Sequence, residues 1–540
     1  MNILGVYGGM SMGEHDPSAA LICDGRLVAV CEEERFLRVK SPYGVLPIES
    51  IRHCLKEAGL QMQDIDYIAH PGAGFADFPS RIKTYLLHYF GYAPPLKLMA
   101  HQQAHLASAF YCSGFDKALC ISYDAYGEGS SAALGVGDDS GIAIHELRDQ
   151  SNSLGLFYAC ITSYLGFLVG TDEYKVMGLS AYGRDALDLG DFLRITPTGY
   201  ELDTSYLAQP LYNQTWYEPL YSEKLVALLG PNRKPGDPIT DHYKNVAFAA
   251  QKTLEQAVCS LITYHHSQTG LNRLCLAGGV ALNSVANMKI GKLPFLKELF
   301  VQPAASDRGL ALGCALQCSA DLGAPLRDRL QHAYLGPTYS EERMQRDLDI
   351  AGISYRRVEN AATTAAELLA EGKIIAWFQG RSEFGPRALG HRSILADPRR
   401  AGIKDEVNAR IKFRESFRPF APAVLQEAAS TIFDMEGDCP FMTTTVPVRD
   451  AWRSRIPGVV HVDGTARVQT VSAQANDIFY ELVAQFHRLT DVPVVLNTSF
   501  NIKGQPIVET PMDAISTFFG TGMDALFIGP FLINKTGANA

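Results

Sequence analysis

The chain has 540 residues, of which 47% are hydrophobic and 20% charged, the proportions of an ordinary globular protein long enough for several domain-sized units. Its net charge of −10 argues against general nucleic-acid binding, and no uninterrupted apolar run reaches the roughly 18 residues that a membrane-spanning helix needs. The 11 cysteines form no CxxC pair, and no basic region precedes the first apolar residues, so we expect a cytoplasmic protein with reduced thiols.

The first 150 residues contain two copies of one strand pattern. In the first copy, a strand near the start of the chain leads into a hairpin whose turn is formed by Asp24 and Gly25. In the second copy, strands are predicted at 118–124, 131–137 and 142–146, and both copies contain the string Ser-Ala-Ala-Leu. Because such repetition builds two related halves with a cleft between them, the pattern predicts an α/β domain formed by duplication.

Two histidines, His101 and His105, lie four residues apart in a run without proline or glycine. On a helix they project from the same face, one turn apart, and can hold one metal ion, although such a pair is often structural. Two carboxylates are candidates for further ligands: Asp124 and Asp307 each lie where an apolar, strand-like run gives way to a glycine-containing turn. The sequence therefore predicts a metal site, provided that these four residues lie close together in the folded protein.

Two later segments have the composition of a cleft lining. Residues 172–183 combine charged groups with two glycines, and Gly278 and Gly279 follow a strand-like apolar run. Glycines after a strand let backbone N–H groups approach a phosphate or ribose closely, and the N-terminus of a following helix favours negative charge. The pattern indicates a nucleotide contact, although a Gly-Gly pair also occurs in ordinary turns.

A second domain is predicted after a polar, proline-containing linker, and its chemistry is anion recognition. An acidic protein that gathers arginine and lysine beside glycines and aromatics favours phosphate or carboxylate as the ligand, for which the planar guanidinium is suited. The alternative is a solvated basic face, but the interleaved Phe413, Phe417 and Phe420 indicate partial burial. The cationic candidates are Arg381, Arg387, His391, Arg392, Lys412, Arg414, Arg418 and Arg467, and the small polar residues Asn497, Ser499 and Asn501 end a later strand.

Together these motifs resemble one family, the O-carbamoyltransferases of the nodulation-factor and antibiotic-tailoring type, over nearly the whole chain. The strings that carry the resemblance, in order, are Gly9 to Asp16, Glu32 to Phe36 with Lys40, His101 with His105, Lys175 to Leu179, Gly278 to Asn283, Asp307, Phe384 to Arg392, Phe417 to Pro422 and Leu496 to Asn501.

The resemblance implies an α/β fusion protein. Residues 1–335 would form a duplicated actin/Hsp70-like (Kae1-like) metal domain, similar to the tRNA threonylcarbamoyl-transfer protein, and 336–358 a linker. Residues 359–540 would form a YrdC-like domain, similar to the threonylcarbamoyl-adenylate synthase. The Lys-x-Arg and Ser-x-Asn signatures of that synthase match Lys412 with Arg414 and Ser499 with Asn501.

It also implies a two-stage reaction that consumes ATP, with magnesium, and carbamoyl phosphate. In the C-terminal domain, carbamate released from carbamoyl phosphate would attack the α-phosphate of ATP to give carbamoyl adenylate and pyrophosphate. In the N-terminal domain, a hydroxyl of a natural-product or sugar-like acceptor would then attack the carbonyl and release AMP. The C-terminal residues implied are Arg387, His391, Lys412, Arg414, Arg418, Arg467, Ser499 and Asn501.

For the N-terminal domain, the resemblance implies that His101, His105, Asp124 and Asp307 bind a divalent metal. Two imidazoles and two carboxylates suit Fe(II), Mn(II) or Zn(II), and the resemblance favours iron. His15 is the expected general base, because an attacking alcohol must lose a proton, and Asp16 is expected either to orient His15 or to contact the acceptor. The implied nucleotide contacts are Lys40, Lys175, Gly278, Gly279 and Asn283.

Two other functions remain open: threonylcarbamoyl transfer to tRNA, and a non-enzymatic, nucleotide-dependent interaction protein of the actin/Hsp70 type. A homodimer is the working assumption for the assembly, and secondary-metabolite biosynthesis is the expected setting. The irregular segment from Gly199 to Pro238 is the hypothesised acceptor wall, with an aromatic core strip as the alternative. Its aromatic residues are Tyr200, Tyr206, Tyr212, Trp216, Tyr217 and Tyr221.

Overall fold

The structure is a computed structural model that describes residues 1–11, 13–208 and 219–535. The chain divides into two compact units. The first comprises residues 1–28 and 43–330, and the second comprises residues 29–42 together with the chain from residue 331 onward.

The helices and strands alternate along both units. The strands are β1 (Asn2–Tyr7), β2 (Ser18–Cys23), β3 (Arg26–Glu32), β4 (Tyr67–Pro71), β5 (Leu96–Met99), β6 (Ala118–Gly127), β7 (Ser130–Asp138), β8 (Gly141–Asp149), β9 (Leu193–Thr196), β10 (Gly199–Leu202), β11 (Arg273–Ala277), β12 (Glu298–Val301), β13 (Arg356–Arg357), β14 (Ile375–Phe378), β15 (Arg392–Ala396), β16 (Ala421–Leu425), β17 (Thr445–Pro447), β18 (Thr465–Arg467), β19 (Gln469–Val471), β20 (Val494–Ser499), β21 (Ala525–Ile528) and β22 (Phe531–Asn534).

The α-helices vary from a single turn to almost thirty residues. They are α1 (Glu33–Leu37), α2 (Ile48–Ala58), α3 (Phe78–Phe90), α4 (His101–Ser113), α5 (Leu154–Tyr164), α6 (Glu173–Ser180), α7 (Glu223–Leu229), α8 (Asp241–Thr269), α9 (Ser284–Gly291), α10 (Leu310–Asp321), α11 (Glu341–Ile350), α12 (Ala361–Ala370), α13 (Ile403–Val407), α14 (Ala429–Ile432), α15 (Asp450–Arg453), α16 (Asp477–Thr490) and α17 (Pro511–Phe519). No helix in the described part of the chain is both long and apolar enough to cross a bilayer.

Two five-stranded mixed sheets of the first unit repeat one topology. Their strand orders are β3-β2-β1-β4-β5 and β8-β7-β6-β11-β12. In each, the first strand of the repeat pairs antiparallel with the next strand in sequence and parallel with a later one: β1 with β2 and β4, and β6 with β7 and β11. The predicted duplication is therefore confirmed in strand order and direction, and the hairpin turn at Asp24 and Gly25 joins β2 to β3 as expected.

Close backbone contacts at two glycines fix helix α10 in the first unit. A Cβ atom at Gly313 would lie 1.9 Å from the carbonyl oxygen of Ala104 in α4, and one at Gly5 would lie 1.9 Å from the carbonyl oxygen of Ala311. Both positions require glycine, because a side chain there would overlap backbone atoms. Since Gly313 and Ala104 each lie in the first turn of their helix, the contact brings the N-terminal ends of α4 and α10 together.

The second unit is built on an eight-stranded mixed sheet with the order β13-β22-β21-β14-β15-β20-β16-β19. Its central strands are fully buried, and Trp377 in β14 is among the largest buried side chains. The expected linker, 336–358, contains α11 and β13, which pairs with β22. Met344 and Leu348 of α11 belong to the hydrophobic core of this unit.

The segment 29–42 joins the second unit through charged side chains. Glu32 accepts a hydrogen bond from the backbone N–H of Gly385, and Arg35 donates to the carbonyl oxygens of Gly385 at 2.8 Å and Glu383 at 3.4 Å. Arg35 also lies 3.1 Å from Glu32, and both side chains are buried. Charge-assisted hydrogen bonds of this kind are stronger than neutral ones, so the segment holds the loop of residues 383–392 in place.

A fully buried carboxyl group, Glu509, lies among these charges. It accepts a hydrogen bond from the Ser382 hydroxyl at 2.8 Å and lies 3.7 Å from the Arg392 guanidinium, while its other oxygen has no hydrogen-bond partner among the described residues. Burial raises the pKa of Glu509 to about 7, although the positive charges of Arg392 and Arg35 act in the opposite direction. The Glu509 carboxyl group therefore stays protonated in the folded protein at pH values where it has lost its proton in the unfolded chain.

We expect Glu509→Gln to change the pH dependence of stability. The wild-type free energy of unfolding should fall as pH rises from about 4.5 through 7, because only the native state keeps this proton. The variant should match wild type near pH 4 and exceed it at pH 8 by on the order of 3 kcal/mol. Urea unfolding at several pH values measures this difference, with the exposed Glu371→Gln as control. Parallel curves for wild type and Glu509→Gln would contradict the assignment.

Candidate metal centre and anion-binding cluster

The structure brings together all four residues that the sequence singled out as metal ligands. Helix α4 begins at His101, so His101 and His105 lie at its N-terminal end with their Nε2 atoms 3.1 Å apart. Asp124 lies in β6, and Asp307 opens a short turn directly before α10. One ligand atom from each residue lies within 4.8 Å of the other three.

Each carboxylate uses one oxygen for support and directs the other towards the histidines. Asp124 accepts backbone N–H hydrogen bonds from Ala125 at 2.8 Å and Gly279 at 3.3 Å through Oδ1, while Oδ2 lies 3.1 Å from Nε2 of His105. Asp307 accepts the Tyr7 hydroxyl at 2.6 Å through Oδ2, while Oδ1 lies 3.5 Å from Nε2 of His105. The arrangement fixes the direction of both carboxylates, as metal ligands require.

These donors fit a divalent first-row metal. Two imidazole nitrogens and two carboxylate oxygens converge in a largely buried place, a donor set that suits Fe(II), Mn(II) or Zn(II). Glycine is required beside the cluster, because a Cβ atom at Gly127 would lie 2.3 Å from the ring of His101. The four residues can therefore hold a cation without rearranging the backbone.

A second group of polar residues lies beside the four candidate metal ligands. His15 approaches Asp16 at 3.3 Å through Nδ1 and Asp307 at 3.9 Å through Nε2, and its ring packs against Tyr43. Arg308 donates to Asp16 at 2.9 Å. Burial would raise the pKa of Asp16, but Arg308 and His15 outweigh burial and hold it well below its usual value. Asp16 therefore stays ionised and can orient the imidazole.

The predicted nucleotide contacts of the first unit lie in several different environments. Gly278 and Gly279 follow β11, and Gly279 contacts Asp124 directly. Asn283 accepts the N–H of Ala286 and so caps α9, and its amide also pairs with Gln251. Of these residues, Gly279 is thus shown to contact a candidate metal ligand, and Gly278 directly precedes it.

The lysines predicted to contact nucleotide differ in location. Lys175 lies in α6 with its ammonium group 2.8 Å from Asp172 and over the ring of Phe167. Lys40 lies in the segment 29–42, so it belongs to the second unit, where its charge acts on Lys412.

Two described aromatic residues of the hypothesised acceptor wall are buried core residues. Tyr200 and Tyr206 are 2% and 5% exposed, and Arg148 stacks on the ring of Tyr200. Tyr221 packs edge-on against Tyr164. The other three aromatic residues of that hypothesis lie outside the described residues: Tyr212, Trp216 and Tyr217.

In the second unit, Lys412 is the centre of a compact polar group. It is 2% exposed, and its ammonium group donates to the Ser499 hydroxyl at 3.2 Å and to the Asn501 side-chain oxygen at 2.8 Å. Ser499 in turn donates to Asn501 at 2.7 Å. The structure therefore brings the lysine of the Lys-x-Arg signature onto the Ser-x-Asn signature, with β20 supplying the serine.

Arginines crowd around this lysine. Burial lowers the pKa of Lys412 well below its usual value, and the charges of Arg414 and Arg418 add to the effect. Burial and the charges of Arg387, Arg414 and Arg418 likewise disfavour the charged form of Arg467, so its pKa also lies well below the usual value. Since an arginine stays protonated in proteins, the crowding is a free-energy cost that a bound anion would relieve.

Two further residues of the predicted cationic set have other contacts. His391 directs Nδ1 at the carbonyl oxygen of Arg381, 2.6 Å away, and packs against the ring of Tyr334. Burial lowers the pKa of His391 to about 4, so its ring is neutral. Arg392 is fully buried over the ring of Phe378. Both residues thus lie in the packed base of the loop of residues 383–392.

Sequence reasoning missed several residues that position the two clusters. Glu383 is the clearest case, because one of its oxygens accepts the backbone N–H groups of Leu389, His391 and Arg392. Arg308 is another, although its place next to Asp307 was a signal that could have found it. The others are Tyr7 beside Asp307, Asn408 beside Arg414, and Gln469 beneath the same loop.

Both halves of the chain match family models. The model described as the carbamoyltransferase N-terminus matches residues 4–89 and 77–316, and the model described as the carbamoyltransferase C-terminus matches residues 366–535. The protein is thus an α/β transferase with a candidate metal centre. The chain belongs to the carbamoyltransferase family, as the motif resemblance predicted.

Individual relatives cover almost the full chain. The nodulation protein NolNO of Sinorhizobium fredii is 40% identical over 97% of this chain and 80% of its own length. A Synechocystis protein, sll1178, is 36% identical over 98% of this chain and 96% of its own length. Among solved structures, HypF from T. kodakarensis aligns with 60% of this chain and 48% of its own at 13% identity and a TM-score of 0.36, too low to support an inference.

Removing one imidazole should abolish metal binding at the four-residue cluster. We expect wild type to bind about one equivalent of Fe(II) or Mn(II), and His105→Gln to bind at least about 100-fold more weakly, because the site loses one of its four ligands. Metal content after dialysis measures the difference. His88→Gln, on the surface of α3, is the matched control. Equal metal content in wild type and His105→Gln would rule out this site.

Replacing Arg467 with leucine should stabilise the protein while weakening anion binding. Its Nε atom is buried without a hydrogen-bond partner in the described part of the chain, and its charge is repelled by three arginines. We expect pyrophosphate to raise the Tm of wild type, and we expect Arg467→Leu to lose this response while its own Tm rises by about 2 to 4 °C. Differential scanning calorimetry tests both effects, with the exposed Arg449→Leu as control. A lower Tm together with an unchanged pyrophosphate response would contradict the anion site.

Proposed function

We propose that this carbamoyltransferase is an ATP-dependent O-carbamoyltransferase that takes the carbamoyl group from carbamoyl phosphate and transfers it, through carbamoyl adenylate, to a hydroxyl of a small-molecule acceptor. One observation carries the proposal: Lys412 contacts Ser499 and Asn501 while Arg387, Arg414, Arg418 and Arg467 act on the same place. Two anionic substrates that react with each other need such a concentration of positive charge.

The first stage belongs to the second unit in this proposal. Water hydrolyses carbamoyl phosphate to carbamate and inorganic phosphate, and an oxygen of the carbamate then attacks the α-phosphorus of ATP. The bond between the α- and β-phosphates breaks, and pyrophosphate leaves. Arg414 and Arg467 stabilise charge on the transferring phosphoryl group. Lys412 contacts the carbamate or the phosphate released from carbamoyl phosphate, and Lys40 joins this cluster because its charge acts on Lys412.

The second stage belongs to the first unit. The acceptor hydroxyl attacks the carbonyl carbon of carbamoyl adenylate, its proton passes to His15, and AMP leaves. Asp16 holds the imidazole, and Arg308 holds Asp16. A divalent cation, for which the family resemblance favours Fe(II), would be held by His101, His105, Asp124 and Asp307 and would supply positive charge for nucleotide phosphates.

The repeated sheet topology of the first unit supports an actin/Hsp70-like (Kae1-like) domain, and the contact of Lys412 with Ser499 and Asn501 supports a YrdC-like domain. In this proposal the functional domains are residues 1–335 and 359–540, and the compact units add two refinements: residues 29–42 serve the second domain, and so does the chain from residue 331 to the expected linker. The glycines at 278 and 279 serve the nucleotide through their position beside Asp124. In this proposal, His391 helps to position the loop of residues 383–392, to which it belongs.

The two stages predict different effects for two single substitutions. With ATP, magnesium and carbamoyl phosphate but no acceptor, wild type and His15→Asn should release pyrophosphate at rates within about twofold of each other. Arg414→Ala should release it about 100-fold more slowly, because a charge that stabilises the transition state is lost. Phosphorus NMR measures pyrophosphate directly.

Substrate dependence discriminates this function from its alternatives. Dependence of pyrophosphate release on threonine and bicarbonate would favour threonylcarbamoyl transfer to tRNA, and no release from metal-loaded wild type would favour an interaction protein. With an acceptor alcohol, His15→Asn should carbamoylate at least about 100-fold more slowly than wild type. Equal pyrophosphate loss in His15→Asn and Arg414→Ala would contradict the division into two stages.

A further inference from the structure

Phe413 is an exposed aromatic residue inside the cationic cluster of the second unit. It lies between Lys412 and Arg414, the two cations of the Lys-x-Arg signature, and its relative exposure is 52%. The neighbouring aromatics of the same stretch differ, since Phe420 is buried at 2% and lies beneath the Arg414 guanidinium at 4.6 Å. Packing in this unit therefore accounts for Phe420 and leaves half of the Phe413 surface open.

The backbone holds Phe413 in a conformation that L residues rarely adopt. Its φ and ψ angles are 48° and 49°, in the left-handed region, at the end of a π-helical turn that spans Asn408–Lys412. A bulky side chain with positive φ is sterically disfavoured, and glycine or asparagine would adopt these angles more easily. Left-handed residues and single π turns both concentrate at functional sites. Phe413 thus combines an exposed apolar ring with a strained backbone.

The neighbours of Phe413 explain the direction of its ring. Lys412 is drawn inward by its hydrogen bonds to Ser499 and Asn501, and Arg414 by a 2.7 Å hydrogen bond from its Nε to Asn408. The backbone N–H groups of Phe413 and Arg414 both point to the carbonyl oxygen of Asn408. The turn therefore presents two inward cations with one solvent-facing ring between them.

We propose that Phe413 is the stacking platform for the adenine base of the nucleotide whose phosphates bind the surrounding lysine and arginines. This inference rests on the proposed activation of carbamoyl phosphate by ATP in the second unit. A planar base covers an exposed ring face well, and every base has a face that can stack on it. Fixed phosphates beside the ring leave the base free to fold back over Phe413.

The stacking role makes a prediction about specificity. Stacking depends on the area and polarisability of the base and carries little hydrogen-bond information, so Phe413 should favour purine over pyrimidine nucleotides without separating ATP from GTP sharply. The binding of tripolyphosphate, which has the phosphates but no base, should not depend on the Phe413 ring. These properties separate a base platform from a residue that only shapes the Lys412 and Arg414 backbone.

The test uses the full-length, metal-loaded protein with two substitutions at one position. Phe413→Asn keeps a residue that tolerates the left-handed conformation and removes the ring, and Phe413→Tyr keeps the ring. In pyrophosphate release with saturating carbamoyl phosphate, we expect the KM for ATP to rise about 10-fold or more in Phe413→Asn and to change less than about twofold in Phe413→Tyr. Phe519→Asn, at an exposed aromatic of α17, should match wild type.

Inhibition by tripolyphosphate and thermal stability complete the design. The inhibition constant of tripolyphosphate should be the same in Phe413→Asn and wild type, and the Tm of Phe413→Asn should be equal or higher, because the substitution removes strain. Equal weakening of ATP and tripolyphosphate would overturn the proposal and show that Phe413 acts on the phosphate site. A lowered Tm with an unchanged KM for ATP would also overturn it, in favour of a packing role.

Photolabelling separates this inference from the proposed function. Light-activated 8-azido-ATP should label the peptide that contains Phe413 in wild type, and excess ATP should prevent the labelling. If wild type releases no pyrophosphate but this peptide is still labelled, the activation chemistry fails while the base site stands. If pyrophosphate is released and the label lies only on peptides from other parts of the chain, the base platform is wrong while the activation chemistry stands.

Discussion

The crowding of charged groups in buried places is the constraint on which both clusters depend. In the second unit, Arg387, Arg414 and Arg418 act on Arg467, and Lys412 lies buried among them. In the first unit, Asp124 and Asp307 direct carboxylate oxygens at the same two imidazoles. Because charges interact strongly where water is excluded, the crowded arginines cost free energy that a bound anion recovers, whereas the two carboxylates are stabilised by the imidazoles they face. The surrounding hydrogen bonds and close packing hold these groups in place against that cost.

The backbone supplies the rigidity that such sites need. In the first unit, Gly5 and Gly313 allow α10 to approach β1 and α4 so closely that the N-terminal ends of two helices meet, and ligands come from both ends. Asp16 in the first unit and Phe413 in the second have left-handed backbone angles, at φ 58° and 48°. Strain of this kind persists only where the surroundings determine the conformation, and each residue lies in a well-connected polar group.

The segment 29–42 shows that neighbours in sequence can serve different units. Strand β3 starts in the first unit, but Glu32 and Arg35 bind the loop of residues 383–392, and Lys40 adds its charge to the cluster at Lys412. A single domain boundary near residue 335 would assign all of residues 29–42 to the first domain. The acidic string that begins at Glu32 therefore contributes to the proposed activation chemistry. From sequence order alone, that chemistry belongs to the C-terminal part of the chain.

By itself, the sequence determined the family through its ordered motifs. Its local periodicity and residue spacing predicted the mixed α/β class, the duplicated strand pattern and the four candidate metal ligands, because they encode strands, turns and helix faces. Only the tertiary structure decided that Lys40 belongs with Lys412, that Glu383 and Arg308 position their neighbours, and that His391 is neutral and packed against Tyr334. It also separated Phe413 from Phe420, which look alike in sequence and differ in burial. Burial, charge crowding and left-handed backbone angles arise from contacts between residues distant in sequence, and no local pattern records them.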